Sequence, residues 1–165
     1  MSDEAQARMQ RFVDRFMSQV PHLQALGIGY VASGPDWAEL KMPYAPQLVA
    51  YPDSGVIASG AIFSLMDSAA GFSVFIRMGK FEPHATLDLR CDYLRPATPG
   101  ETVFGRAECY KMTKRVAFVR GIAHDGDPAH PIAHVAGTFM LTGTSGAAPG
   151  MLTGPTTGPT IGSAA

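Results

Sequence analysis

Residues 56–76 read VIASGAIFSLMDSAAGFSVFI, a run in which Asp67 and four serines are the only polar side chains. Its length raises the question of a membrane span, but the small residues and the carboxylate fit a buried helix of a soluble domain better. A helix that is apolar nearly all round has to be enclosed by other elements. Ser59 suits the N-cap of a helix beginning near Gly60, and Gly79 is placed to close it after Met78. An unpaired carboxylate in such a helix is costly or must keep its proton, so Asp67 needs either a partner or a chemical task.

Downstream of this helix the texture becomes that of strands. ATLDLRCDYLRP, ETVFGRAECYK, VAFVRGIAH and IAHVAGTFMLT are rich in β-formers and are separated by PATPG, MTKR and DGDPAHP. They predict four antiparallel strands with one face on the helix. In the first, strict alternation puts Leu87, Leu89, Cys91 and Tyr93 on one side and Thr86, Asp88, Arg90 and Asp92 on the other. Upstream, GIGYVAS, a turn at Gly34-Pro35-Asp36 and WAELKM predict a hairpin, and PYAPQLVAYPDSG predicts a long irregular loop that can wall a site.

At the N-terminus, Met9, Phe12, Val13, Phe16, Met17 and Val20 recur at the spacing of one helical face. Pro21 interrupts that helix, and LQALG offers a glycine to cap a short continuation, so residues 1–26 form an extra amphipathic helical segment. From residue 143 onward the chain is Gly, Pro, Thr, Ser and Ala, a composition expected to stay disordered. The expected organisation is one domain over residues 1–142 and a tail over 143–165.

The totals exclude several classes. A chain of 165 residues holds one good core, and thirteen basic against fourteen acidic side chains give a net charge of -1, so nothing global recruits nucleic acid or an anionic membrane. Cys91 and Cys109 lack disulfide or zinc spacing, and MSDEAQARMQRF is not a secretory signal, which together suggest a reducing, cytoplasmic setting. His124, His130 and His134 have no accompanying ligand set, so no metal site is expected. No G-x-S-x-G elbow supplies a serine nucleophile.

A hairpin, one long buried helix and four antiparallel strands resemble the hotdog fold: an α+β architecture with an antiparallel sheet wrapped around a central helix. The motifs resemble acyl-CoA thioesterases of the phenylacetyl-CoA thioesterase type. Gly55 to Gly60 and Leu65-Met66-Asp67 keep the register of that family's loop and helix motif. Ala85 to Leu89, Tyr93-Leu94-Arg95-Pro96 and Gly137-Thr138-Phe139 look like its later strands. The likeness covers roughly residues 28–142. The family's histidine falls at Ala58, its first motif glycine at Ser59 and its upstream asparagine near Pro52, so those polar groups are absent.

What the resemblance implies is hydrolysis of an acyl-CoA to free acid and CoA, without a cofactor, by a homodimer or homotetramer whose sites lie between subunits. The Gly60 N–H at the helix start is the oxyanion donor, beside Ser59. Asp67 acts as general base on water or as nucleophile, and both routes stay open at this stage; Thr86 holds the water against it. Lys111, Lys114 and Arg115 in the KMTKR turn form a local basic cluster for CoA phosphates, with Arg95 as a second candidate. Two alternatives stand beside this reading: a non-catalytic acyl-CoA or ligand-binding hotdog protein, and an enoyl-CoA hydratase, of which Gly126-Asp127-Pro128-Ala129-His130 is a shortened echo.

Overall fold

A computed structural model describes residues 11, 13–79 and 82–142. Six antiparallel strands, β1 (Gly29–Ser33), β2 (Trp37–Met42), β3 (His84–Tyr93), β4 (Val103–Met112), β5 (Val116–His124) and β6 (Ala133–Leu141), form one sheet in the order β1-β2-β4-β5-β6-β3. The sheet wraps the 20-residue helix α2 (Ser59–Met78), with the short helix α1 (Pro21–Ala25) ahead of β1. This is the α+β hotdog architecture. By length and composition α2 is long enough to cross a membrane, but its face of Ile62, Leu65, Met66, Ala69, Ala70 and Val74 is buried against the sheet.

Small side chains let helix and sheet approach. Val103, Ala107 and Cys109 of β4 alternate inward with Gly105, and Ala117, Val119 and Ala123 do so from β5. A Cβ on Gly105 would lie 2.9 Å from both Leu65 Cγ and Met66 Sδ, so only glycine permits this contact.

Both ends of α2 can be compared with the sequence. Gly79 closes it in the left-handed region at φ 65°. At the start, Ala58 is the N-cap, without a side-chain cap, and Ser59 is the first helical residue. The entry is instead fixed by backbone, with Ala58 N–H donating to the Leu48 carbonyl and a bridge between Val49 and Ile57.

β3 departs from strict alternation. Its pairing with β6 matches Thr86 to Phe139 and Asp88 to Thr138, a register shift that leaves Leu87 as the extra residue of a bulge. Thr86 therefore comes to the helix side with Leu89 and Cys91, which pack on the core, while Leu87 is exposed. Among the described residues β3 pairs on one side only, which leaves it an edge strand.

Residues 13–17 are helical, with Val13 and Met17 buried and Phe16 and Val20 packed on the core. Met9 and Phe12 of the expected helix lie outside the described residues, as does the tail from residue 143. Pro21 starts α1 as well as ending the preceding helix, and Gly27 follows at φ 66°.

Candidate active site

Asp67 is half-buried in the middle of α2, and its partner is Thr86: the Thr86 hydroxyl donates to Asp67 Oδ1 at 2.8 Å. The bulge makes this bond possible, because without the extra residue Thr86 would point away from the helix. The bond is direct, where the sequence suggested a water between them. It fixes the carboxylate rotamer and leaves Oδ2 without a protein partner among the described residues.

Asp67 and Thr86 line a cavity of about 390 Å³. Its apolar walls are Phe16, Val20 and Leu23 from the N-terminal segment, Phe72 and Phe75 from α2, and Phe139 from β6. Phe16 meets Phe72 edge to face at 5.6 Å between ring centres, tying the N-terminal segment to the helix. Ser68, Gly71, His22, His84 and Glu82 complete the lining. The His84 ring lies 5.7 Å from that of Phe139 and its Nδ1 is 3.2 Å from the Glu82 carbonyl oxygen; His22 Nε2 is 3.2 Å from Ser64 Oγ. Sequence reading missed both histidines. Nothing local marks them, since their place depends on the N-terminal segment and β3 folding onto α2.

The start of α2 forms a second feature. Gly60 is exposed in the first turn, where backbone N–H groups have no intrahelical carbonyl to bond. A Cβ there would meet nothing within 4 Å, so packing inside the chain does not require glycine. The neighbouring Ser59 carbonyl accepts the Tyr93 hydroxyl at 2.7 Å. Burial, aided by Cys91, raises the Tyr93 pKa, and burial also pushes the Cys91 thiol up, so neither is a ready anion or nucleophile at neutral pH.

Gly60 and Asp67 are not brought together within one chain. Asp67 follows seven positions after Gly60, about 10 Å along the axis. One thioester held against Asp67 cannot reach the Gly60 N–H of the same chain.

The basic candidates divide. Lys111, Lys114 and Arg115 are exposed at the β4–β5 turn and make no ion pair among the described residues; the turn is held by Thr113, whose N–H donates to the Val116 carbonyl at 2.8 Å. Arg95 is committed elsewhere. It donates to both oxygens of Asp125, at 2.9 and 2.6 Å, and to the carbonyls of His130 and Pro96 at 2.7 and 3.1 Å. Asp125 also accepts the Thr98 N–H at 2.8 Å, and these bonds, Arg95 first, hold its carboxyl well below the usual range. With four donor contacts already made, Arg95 is a loop clamp, and its assignment to phosphate binding is set aside.

No group of three or more potential metal ligands occurs among the described residues. His124 is buried with Nε2 3.5 Å from Glu39 Oε1, and His130 Nδ1 lies 2.7 Å from Asp127 Oδ2 at the β5–β6 turn. That turn holds the Gly126 to His130 segment outside the cavity lining, which removes the basis for a hydratase site there.

Comparison with known proteins bears on the family and the fold. Residues 54–132, which include α2 and Thr86, match the family model of the thioesterase superfamily. The medium/long-chain acyl-CoA thioesterase YigI of Escherichia coli is 26% identical over 141 residues, covering 78% of this chain and 90% of that protein. A Pseudomonas aeruginosa protein of known crystal structure is 45% identical with a TM-score of 0.70, over 76% of this chain and 93% of that one. The phenylacetic acid degradation protein PaaI of Thermus thermophilus is 25% identical with a TM-score of 0.64, over 73% of this chain and 98% of that one. The helix-borne acid, the antiparallel sheet around it and these matches together place the chain in the thioesterase superfamily, as a hotdog thioesterase of the PaaI-like type.

Proposed function

We propose that this thioesterase hydrolyses acyl-CoA to free acid and CoA at sites assembled between two copies of the chain. The observation that carries the proposal is the Asp67–Thr86 pair at the wall of an apolar cavity. A carboxylate oriented by one hydroxyl, with its second oxygen unpaired among the described residues, can accept a proton from water or attack a carbonyl carbon. The cavity receives the acyl group, and its apolar walls favour aliphatic over charged acyl groups. YigI, a thioesterase for medium and long chains, supports the same substrate class.

The oxyanion donor comes from the second copy. Tyr93, at the far end of β3, bonds to the Ser59 carbonyl beside Gly60, whereas Thr86 and Asp67 lie near its other end. Pairing two β3 edges antiparallel across a two-fold axis brings the helix start of one copy to the Asp67 end of the other. This covers the open edge and its exposed Leu87, Tyr93 and Leu94 at the same time. The donor is backbone, so the alanine at position 58 removes no group that this step requires. Lys111, Lys114 and Arg115 hold the CoA phosphates, no cofactor takes part, and a cytoplasmic location suits both the CoA substrate and the free Cys91 and Cys109.

Release of free thiol from acyl-CoAs by the parent protein and by Asp67→Asn tests the reading. Asparagine keeps the shape and can still accept the Thr86 bond, but it neither takes a proton from water nor attacks a carbonyl. The expected loss in kcat is about a hundredfold to ten-thousandfold for a general base, and more for a nucleophile. A folded Asp67→Asn protein with parental kcat would end the assignment.

A further inference from the structure

The cavity has a direction. The residues that α2 contributes to it are Asp67, Ser68, Gly71, Phe72 and Phe75, and none precedes Asp67 in the helix. Asp67 therefore marks one end of the lining on α2, and Phe75 marks the other, about 12 Å further along the axis. The N-terminal segment lies over this face and runs against the helix: His22 meets Ser64, while Phe16, earlier in the chain, meets Phe72. Thr86, His84 and Phe139 close one side, with Gly71 close beside the last two rings. On the covering segment the residues sort by face. Val13 and Met17 are buried in the core and dock it, whereas Phe16 and Val20 are half-buried and line the cavity.

We infer that Phe16 is a specificity-determining residue of this site: seated on Phe72 beyond Asp67, it forms an end wall that gauges the length of the acyl chain and selects medium chains. The inference rests on the thioesterase reading and gives that site a substrate class. Phe72 follows five positions after Asp67, about 7.5 Å along α2. Three bonds of an extended chain advance ~3.8 Å, so an acyl group with its carbonyl at Asp67 meets the Phe16–Phe72 pair after about six bonds and Phe75 after about nine. A chain of about eight to ten carbons fills the cavity to this wall. A butanoyl group ends short of it and leaves apolar surface uncovered, and a much longer chain has to displace the rings.

The test measures kcat/KM for butanoyl-, octanoyl- and tetradecanoyl-CoA in the parent, Phe16→Leu and Phe16→Ala. In the parent, octanoyl-CoA is expected to be the best of the three. Removing the ring opens the wall, so the ratio of tetradecanoyl to octanoyl is expected to rise about tenfold in Phe16→Ala and less in Phe16→Leu, as for an apolar pocket given room for added methylenes. Butanoyl-CoA should keep its parental value. Val13 and Met17 still dock the segment in both variants, and melting temperatures check this; if Phe16→Ala does not fold, Phe16→Leu carries the comparison. A ring that serves stability alone would lower all three substrates together. That result, a parent that prefers tetradecanoyl-CoA, or a parental ratio in the folded variants overturns the inference. If the parent releases thiol from none of the three, hydrolysis itself is refuted, and calorimetric binding of octyl and tetradecyl thioethers of CoA decides about the wall. Selective tightening of the tetradecyl compound in the Phe16 variants supports it, and unchanged relative affinities overturn it.

Discussion

A single hydroxyl fixes the carboxylate to which the proposed function gives the chemistry. Thr86→Val removes the bond to Asp67 Oδ1 at nearly constant volume and leaves the carboxylate free to rotate. A hydrogen bond to a charged group contributes about 1.5–3 kcal/mol, so kcat is expected to fall about tenfold to a hundredfold. That loss should be smaller than the loss in Asp67→Asn, and steady-state assays of the two variants under one condition check the order. The ranking reverses if Thr86 rather than Asp67 carries the chemistry. Asp67 was legible in the sequence because a charge inside an apolar helix stands out, and Thr86 because of the motif around it. Their direct contact was not, since alternation counted from Leu89 puts Thr86 on the wrong face and only the bulge at Leu87 corrects it. Gly71, His22 and His84 carry no local signal at all: each matters through what folding sets opposite it.

The elements themselves were largely readable. Period-two runs bounded by turn residues became β1, β2 and β3 to β6, and Gly79 ended α2 where a left-handed residue was needed. What escaped was how the loops are tied. Arg95, which sequence reading offered to a phosphate, clamps the exit of β3 to the β5–β6 turn through Asp125. The Asp125 carboxyl has its pKa lowered by that contact, so folding favours its ionised form. The sign follows: this stabilisation is present above the unfolded carboxylate value of about 3.9 and is lost as the pH falls through the folded value. Asp125→Asn should therefore lower the melting temperature at pH 7 and show a shallower acid decline below about pH 4. Thermal melts from neutral to acid pH measure both, and parallel curves for parent and variant would show that the clamp contributes nothing to acid sensitivity.

At the scale of the whole molecule, the proposed roles of Gly60 and Asp67 call for an active unit larger than the chain. About 10 Å of helix lies between the two residues, so under the proposed function each complete site takes one from each copy. Two inactive proteins can then repair each other. Asp67→Asn lacks the base, and Gly60→Pro lacks the N–H while occupying the first helical turn, where proline is tolerated. In a mixed dimer the two defects fall together in one site, and the other site pairs an intact Asp67 with an intact Gly60. Dissociating and reassociating equal amounts should restore about a quarter of the parental activity, since random pairing makes half the dimers mixed and each has one good site. Mixing without dissociation should restore none. If acid and donor acted within one chain, every site would contain a defect and no mixture would turn over, which is the result that would return the site to the single chain.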